Sequence, residues 1–196
     1  LSMPTVADTP IKICSRASVL IGGNDIQSFV DGTTESQVAD AVYEDIARTA
    51  LTNSRWRFAS DQAVLNRLEE APTGRFDAAY QLPSNSIMVH AVTINDVVIK
   101  YNTYGSKIFC NASSSDEVIA DFNFRADENT WPPYFTLAVQ YMLAGAFAVS
   151  LARDAQLGQL MDEKALIYMA QARRLDSQQQ TTVKLNTSRL IAQRRS

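Results

Sequence analysis

Residues 131–151, WPPYFTLAVQYMLAGAFAVSL, decide the fold of this chain. Only four residues interrupt the apolar run between Phe135 and Leu151: Thr136, Gln140, Gly145 and Ser150. A surface helix would show an apolar stripe, but this segment is apolar on nearly every side and must be surrounded. The two prolines stand where a helix can begin. We therefore predict an enclosed helix over residues 132–153.

The same segment is too short for a membrane span, which needs about 20 predominantly apolar residues. It contains Gln140 and is followed by Arg153 and Asp154. We interpret it as a core helix or a helix at a subunit interface, and we expect no membrane contact. Residues 1–10 lack the basic and apolar regions of a secretory signal.

Length and composition indicate one globular domain, since the 196 residues are 46% hydrophobic and 20% charged. The two cysteines, Cys14 and Cys110, are far apart and form no C-x-x-C pair. Cys14 falls on the apolar face of the first predicted helix, where a small buried side chain is expected. No disulfide framework is predicted.

The net charge of −3 is unevenly distributed. Residues 179–196 carry four basic side chains and no acidic one, whereas the rest has 14 basic and 21 acidic residues. The basic side chains alternate with apolar ones, giving the set Val183, Lys184, Leu185, Arg189, Leu190, Ile191, Arg194 and Arg195. This composition favours an extended arm, residues 179–196, that docks on another protein. A solvated tail and a nucleic-acid contact stay open.

Three amphipathic helices accompany the central one. Apolar residues at spacings of three and four predict helices over 10–22, 34–53 and 157–178. Thr34 and Gln37 form a capping-box pattern at the second helix. The last helix is predicted to bury Leu157, Met161, Ala165, Tyr168, Ala172 and Leu175. Together the four helices predict an antiparallel bundle.

Residues 56–126 have strand character. Asn95 and Asp96 lie between two β-branched segments, as a two-residue hairpin turn would. Residues 118–125 alternate between apolar and polar, which makes them the clearest strand. We predict an α+β fold in which a small antiparallel sheet, inserted between helices two and three, completes one domain over residues 1–178.

Catalytic groups are scarce. The single histidine, His90, falls in a predicted strand, where a packing role is the better interpretation. The sequence lacks a metal-ligand cluster, a P-loop and a nucleophile motif. The acidic pairs are interpreted as solvated surface charge: Glu69-Glu70, Asp116-Glu117, Asp127-Glu128 and Asp162-Glu163. We predict no enzyme, no cofactor and no metal.

Aromatic residues cluster around the central helix and the start of the strand region. We predict a structural hub made of Trp56, Phe58, Trp131, Tyr134, Phe135, Tyr141 and Phe147. Trp56, Phe58 and Trp131 could also anchor a partner, because tryptophan is enriched at binding hot spots. A core role is the interpretation that we prefer.

The order of several segments resembles a known family. The chain has ICSRASVLIG at 13–22, IQSF at 26–29, DGTTE at 31–35, WRFA at 56–59 and YQLP at 80–83. This succession over residues 11–176 resembles the tail tubular protein A family of short-tailed phages and related head-to-tail adaptors of prophages. No single segment is specific, and the resemblance rests on their order and spacing.

The resemblance implies a structural virion protein that assembles in the host cytoplasm. Such adaptors form a ring, usually of twelve subunits, beneath the portal, and they continue the channel for double-stranded DNA. The family's C-terminal arm engages the portal. Its sheet lobe points towards the tail nozzle, a tail tubular protein B-like partner.

The acidic body suits passage of DNA, since each Lys or Arg contact to phosphate would strengthen retention. Two other functions stay open. One is a DNA-binding accessory protein that acts through the basic arm. The other is a cell-envelope hydrolase, for which the sequence offers no paired catalytic carboxylates.

Overall fold

The computed structural model describes residues 8–70, 72 and 74–179, and these form four helices and eight strands. The helices are α1 (Pro10–Leu20), α2 (Thr34–Thr52), α3 (Pro133–Ser150) and α4 (Ala155–Gln178). The strands are β1 (Ser60–Val64), β2 (Asn66–Arg67), β3 (Ala78–Gln81), β4 (Ser86–Ile94), β5 (Val97–Val98), β6 (Tyr101–Tyr104), β7 (Lys107–Cys110) and β8 (Val118–Phe124). The predicted α+β fold with four helices is confirmed.

Helix α3 lies at the centre of the bundle, because α1, α2 and α4 all pack against it. Phe135, Val139, Leu143 and Phe147 are completely buried along its length. Gly145 faces α4, where an added Cβ atom would crowd the Asp162 side chain. The predicted enclosure is confirmed for most of the helix.

Capping residues set the starts of the helices. Thr33, and not the predicted Thr34, is the N-cap of α2, and its hydroxyl accepts a hydrogen bond from the Ser36 N–H. The predicted N-cap was therefore wrong by one residue, and Gln37 is not at the third helical position that a capping box requires. At α3, Pro132 is the N-cap and Pro133 the first helical residue, so both prolines stand where an N–H is not needed.

The lobe between α2 and α3 contains two antiparallel sheets, and not the single sheet predicted. One has the strand order β1-β8-β4-β5 and the other β2-β3-β7-β6. Only Leu65 separates β1 from β2, and its N–H donates to the Val118 carbonyl. The chain thus passes from one sheet to the other at Leu65, a step that no periodicity in the sequence marks.

The two sheets share a second core that is separate from the bundle core. Its largest buried side chains come from both sheets, the crossing point and the residue after β3: Leu65, Tyr80, Leu82, Val92, Ile108, Val118 and Phe122. The predicted hairpin turn is confirmed, since Asn95 and Asp96 have φ angles of 50° and 63°. These left-handed conformations are the ones that a two-residue hairpin requires.

The predicted buried face of α4 is confirmed at Met161, Ala165 and Ala172 but is wrong at its last member. Leu175, expected to be buried, is 41% exposed, whereas the neighbouring Asp176 is 5% exposed. Within the described part of the chain, no helix is long and apolar enough to cross a membrane.

Candidate functional site

Phe135, at the start of α3, is the centre of an aromatic cluster. Its ring lies 5.0 Å from Trp56 and 4.8 Å from Phe58. Trp131 meets it edge-on at 4.9 Å and 88°. Both indole N–H groups donate to buried backbone carbonyls, those of Ala50 and Ala126. Because both polar edges are satisfied within the chain, these tryptophans serve the core.

The other three members of the predicted hub lie elsewhere. Phe147 is buried further along α3, in the same core. Tyr141 stacks on Tyr168 at 4.7 Å, which joins the outer side of α3 to α4. Tyr134 instead points to the end of α4, where its hydroxyl donates to Asp176. The structure therefore gathers four of the seven residues into one cluster.

Arg125 connects the end of β8 to the bundle. Its guanidinium forms ion pairs with Glu44 at 3.0 Å and Glu128 at 2.5 Å, and it lies 5.5 Å from the Trp131 ring. Tyr43 also donates to Glu128. Hydrogen bonding from Arg125 is the main cause that lowers the pKa of Glu44. Glu128 is only 11% exposed in its side chain, so its assignment to solvated surface charge was wrong.

Asn123 joins the lobe to α2. Its side-chain amide N–H groups donate to the carbonyls of Leu51 and Ser54, both at 2.8 Å. Its Oδ1 therefore faces the other way, where it lies 2.8 Å from His90 Nε2 and 2.9 Å from Ser60 Oγ. Since an amide oxygen can only accept, Nε2 of His90 carries the hydrogen. His90 thus belongs to the hydrogen-bonded junction between the lobe and α2.

A second polar cluster lies at the C-terminal end of α4, and we call it the arm root. It consists of Asp176, Arg57, Tyr134 and Gln179. The Asp176 carboxylate accepts two hydrogen bonds, one from the backbone N–H of Arg57 at 3.1 Å and one from the Tyr134 hydroxyl at 3.0 Å. Arg57 Nη1 donates to the Gln179 carbonyl. Burial and the Asp176 carboxylate raise the pKa of Tyr134 to about 12.

An open cleft of about 590 Å³ adjoins the arm root. Three arginines line it, Arg55, Arg57 and Arg173, together with Ser54, Ser60, Asp61, Gln62, Asp176 and Ser177. Arg55 pairs with Asp121, and Arg173 donates to Asn53. The cleft is therefore a polar surface at the junction of α4 with the lobe.

The predicted arm lies outside the described residues beyond Gln179. This concerns all eight arm residues that the sequence singled out: Val183, Lys184, Leu185, Arg189, Leu190, Ile191, Arg194 and Arg195. The structure describes the chain only as far as Gln179, at the end of α4.

Metal ligands and thiols are two further kinds of group to consider in the described part of the chain. They contain no group of three His, Cys, Asp or Glu side chains that could hold a metal ion. Cys14 and Cys110 are buried free thiols. Burial raises the pKa of Cys14 to about 12 and that of Cys110 to about 11, which keeps both protonated and unreactive at neutral pH.

Sequence reasoning missed the three polar residues that connect the modules: Asn123, Arg125 and Asp176. The alternation in β8 grouped Asn123 with the polar residues of the strand, but the end of α2 lies against Asn123 and buries it. For Asp176 the position between Leu175 and Ser177 gave no signal of burial. A buried polar group is marked by its partners, which are distant in the sequence.

A scan against protein-family models finds no match to this chain. A search among curated proteins finds none either.

Proposed function

We propose that this chain is a structural virion protein of a short-tailed bacteriophage. It would be a head-to-tail adaptor that forms a ring of twelve subunits between the portal and the tail nozzle. The arm root is the observation that carries the proposal. A buried carboxylate ties the end of α4 to the start of α3 and the start of the lobe, so the described chain ends at a fixed point.

The position of the arm root determines how long the arm must be to reach a portal. α3 and α4 are antiparallel, and Asp176 meets Tyr134, so the arm leaves the bundle at the lobe end. A helix of 24 residues is about 36 Å long. The 17 residues after Gln179 can span at most about 60 Å when extended. The arm is thus long enough to run back along the bundle and reach a portal beyond its far end.

Charge supports the passage of DNA. The described residues contain all 21 acidic side chains and 14 of the 18 basic ones. Twelve copies would surround the channel with a strongly negative body, which does not retain double-stranded DNA. Catalysis is not part of the proposal, and a tail tubular protein B-like nozzle protein would bind the opposite end of the ring.

The test is binding to the portal protein encoded by the same genome. Truncation after Gln179 should abolish co-sedimentation with the portal while the far-UV circular dichroism of the body is unchanged. Undiminished portal binding by the truncated protein would refute the role of the arm.

Two matched variants of the full chain separate the charged from the apolar contribution to portal binding. One replaces the four basic arm residues by Gln, and the other replaces Val183, Leu185, Leu190 and Ile191 by Ser. If apolar docking dominates, the second variant should lose more affinity. Electron microscopy of each mixture would show whether rings form on the portal.

The basic arm and the three arginines of the cleft favour one alternative, a DNA-binding accessory protein. Fluorescence anisotropy with duplex DNA distinguishes it. An adaptor should bind weakly at physiological salt, whereas a DNA-binding arm would give a steep salt dependence that truncation after Gln179 removes.

A further inference from the structure

Strand β1 is the longest of the four edge strands in the described lobe. It pairs with β8 on one side only, with Ser60 opposite Asn123 and Val64 opposite Ile119. An edge strand leaves a row of backbone N–H and C=O groups without a strand partner, which invites pairing with another segment.

The hydrogen bonds show which groups face the open side. The Leu65 N–H donates to the Val118 carbonyl, so the backbone groups of Leu65 face β8. Neighbouring residues in a strand direct these groups to opposite sides, and in an antiparallel pair they alternate between bonded and non-bonded positions. Gln62 and Val64 therefore face away from β8. In agreement, the Gln62 N–H is bonded to the side chain of Asp61.

The open side of β1 lies beside the arm root. The cleft is lined by Ser60, Asp61 and Gln62 from β1 and by Asp176 and Ser177 from α4. The Gln179 carbonyl is held by Arg57, three positions before β1 begins. The chain thus enters residue 180 next to the first residues of the edge strand.

The sequence of the arm suits an added strand. Residues 181–185 are TTVKL, and Thr and Val are favoured in strands. The residues that would pass the cleft arginines, 180–182, carry no charge and so are not repelled. The first basic residue of the arm is Lys184. Val64, at the far end of β1, is 57% exposed and offers an apolar neighbour. Six extended residues span about 20 Å, enough to follow a strand of five.

We propose that residues 181–185 of the arm pair with the open edge of β1 in the same chain, parallel to it, as a fifth strand of the first sheet. The occupied edge is then the resting position of the arm. Under the proposed function the portal competes for the same residues, so portal binding would release the edge of β1. The pairing itself does not require that the chain is an adaptor.

The test is amide hydrogen exchange, followed by NMR at Gln62 and Val64. In the full chain these amides should exchange at least tenfold more slowly than in the protein truncated after Gln179. Amides of Asp61 and Ala63, which face β8, serve as the internal control and should change little. Equal exchange at Gln62 and Val64 in both proteins would overturn the proposal.

Two proline variants supply a sequence-specific test. Adjacent residues direct their N–H groups to opposite sides, so one of Thr182→Pro and Val183→Pro must remove a hydrogen bond to β1. That variant should restore fast amide exchange at Gln62 and Val64, whereas Ala192→Pro should leave these two amides protected. Equal effects of all three substitutions would contradict the assignment to residues 181–185. Protection that grows with protein concentration would instead place the arm of another copy on β1.

Failure of this proposal and failure of the adaptor function give different results. A truncation that leaves amide exchange unchanged yet abolishes portal binding refutes only the resting position. Conversely, protection by the arm without any affinity for the portal refutes only the adaptor function.

Discussion

The helical bundle and the β lobe are stabilised in different ways. The bundle is built around one apolar helix and an aromatic cluster centred on Phe135. The lobe has a separate core of mainly aliphatic side chains between two sheets, and its outer strands present exposed residues such as Val97 and Val98. Burial dominates in the first module, whereas the second also depends on correct strand pairing and on polar contacts with the bundle.

Truncation in the aromatic cluster should have the largest effect on stability. Phe135→Ala removes a completely buried ring with three aromatic neighbours, and we expect a loss of about 3–5 kcal/mol. Urea unfolding followed by tryptophan fluorescence measures it, because both tryptophans lie in the bundle. The lobe control is Tyr104→Ala, at a residue that is 50% exposed. A loss as large for the control would contradict the assignment of the main core to the bundle.

Asn123→Ala should separate the two modules. It leaves the Leu51 and Ser54 carbonyls without their donor and His90 without its acceptor, and we expect a cost of about 2–3 kcal/mol. Unfolding curves from tryptophan fluorescence and far-UV circular dichroism should then cease to coincide. Asn102→Ala, in β6, is the matched control and should keep them coincident. Coincident curves for Asn123→Ala would mean that this junction does not couple the modules.

Arg125→Met should weaken the second junction and change its pH dependence. It isolates Glu128 from its cation at a cost of about 1.5–3 kcal/mol. Because the pKa of Glu44 is lowered in the folded protein, its contribution is present above the unfolded pKa and is lost as the pH falls through the folded pKa. The midpoint of urea unfolding should therefore fall less steeply in acid for the variant. If the urea midpoint fell equally steeply in acid for both proteins, Arg125 would not be the cause of the lowered pKa of Glu44.

Tyr134→Phe should have the smallest effect. It removes one hydrogen bond to Asp176 while the Arg57 N–H still donates to that carboxylate, so we expect about 0.5–1.5 kcal/mol. Tyr141→Phe is the comparison, since it retains the stacked rings and also removes one tyrosine hydroxyl, which interacts with Tyr168. Thermal unfolding of both variants measures the difference. A larger loss for Tyr141→Phe would contradict the role of the arm root.

Local features of the sequence determined much of this fold. The apolar run predicted the central helix, and the helix bounds agree with the structure to within three residues. Asn95 and Asp96 predicted the hairpin turn, and the alternation of residues 118–125 predicted β8. These features depend on neighbouring residues, because periodicity and backbone torsion preferences act over a few positions.

Only the tertiary structure decided how these elements connect. It divided the strands between two sheets, buried Asn123 and Asp176, and placed the start of the arm beside β1. The contacts responsible join distant residues, such as Arg57 and Asp176, which are 119 positions apart. A buried polar side chain is stable only when its partners are in place, so its position depends on the whole packed chain rather than on its neighbours in sequence.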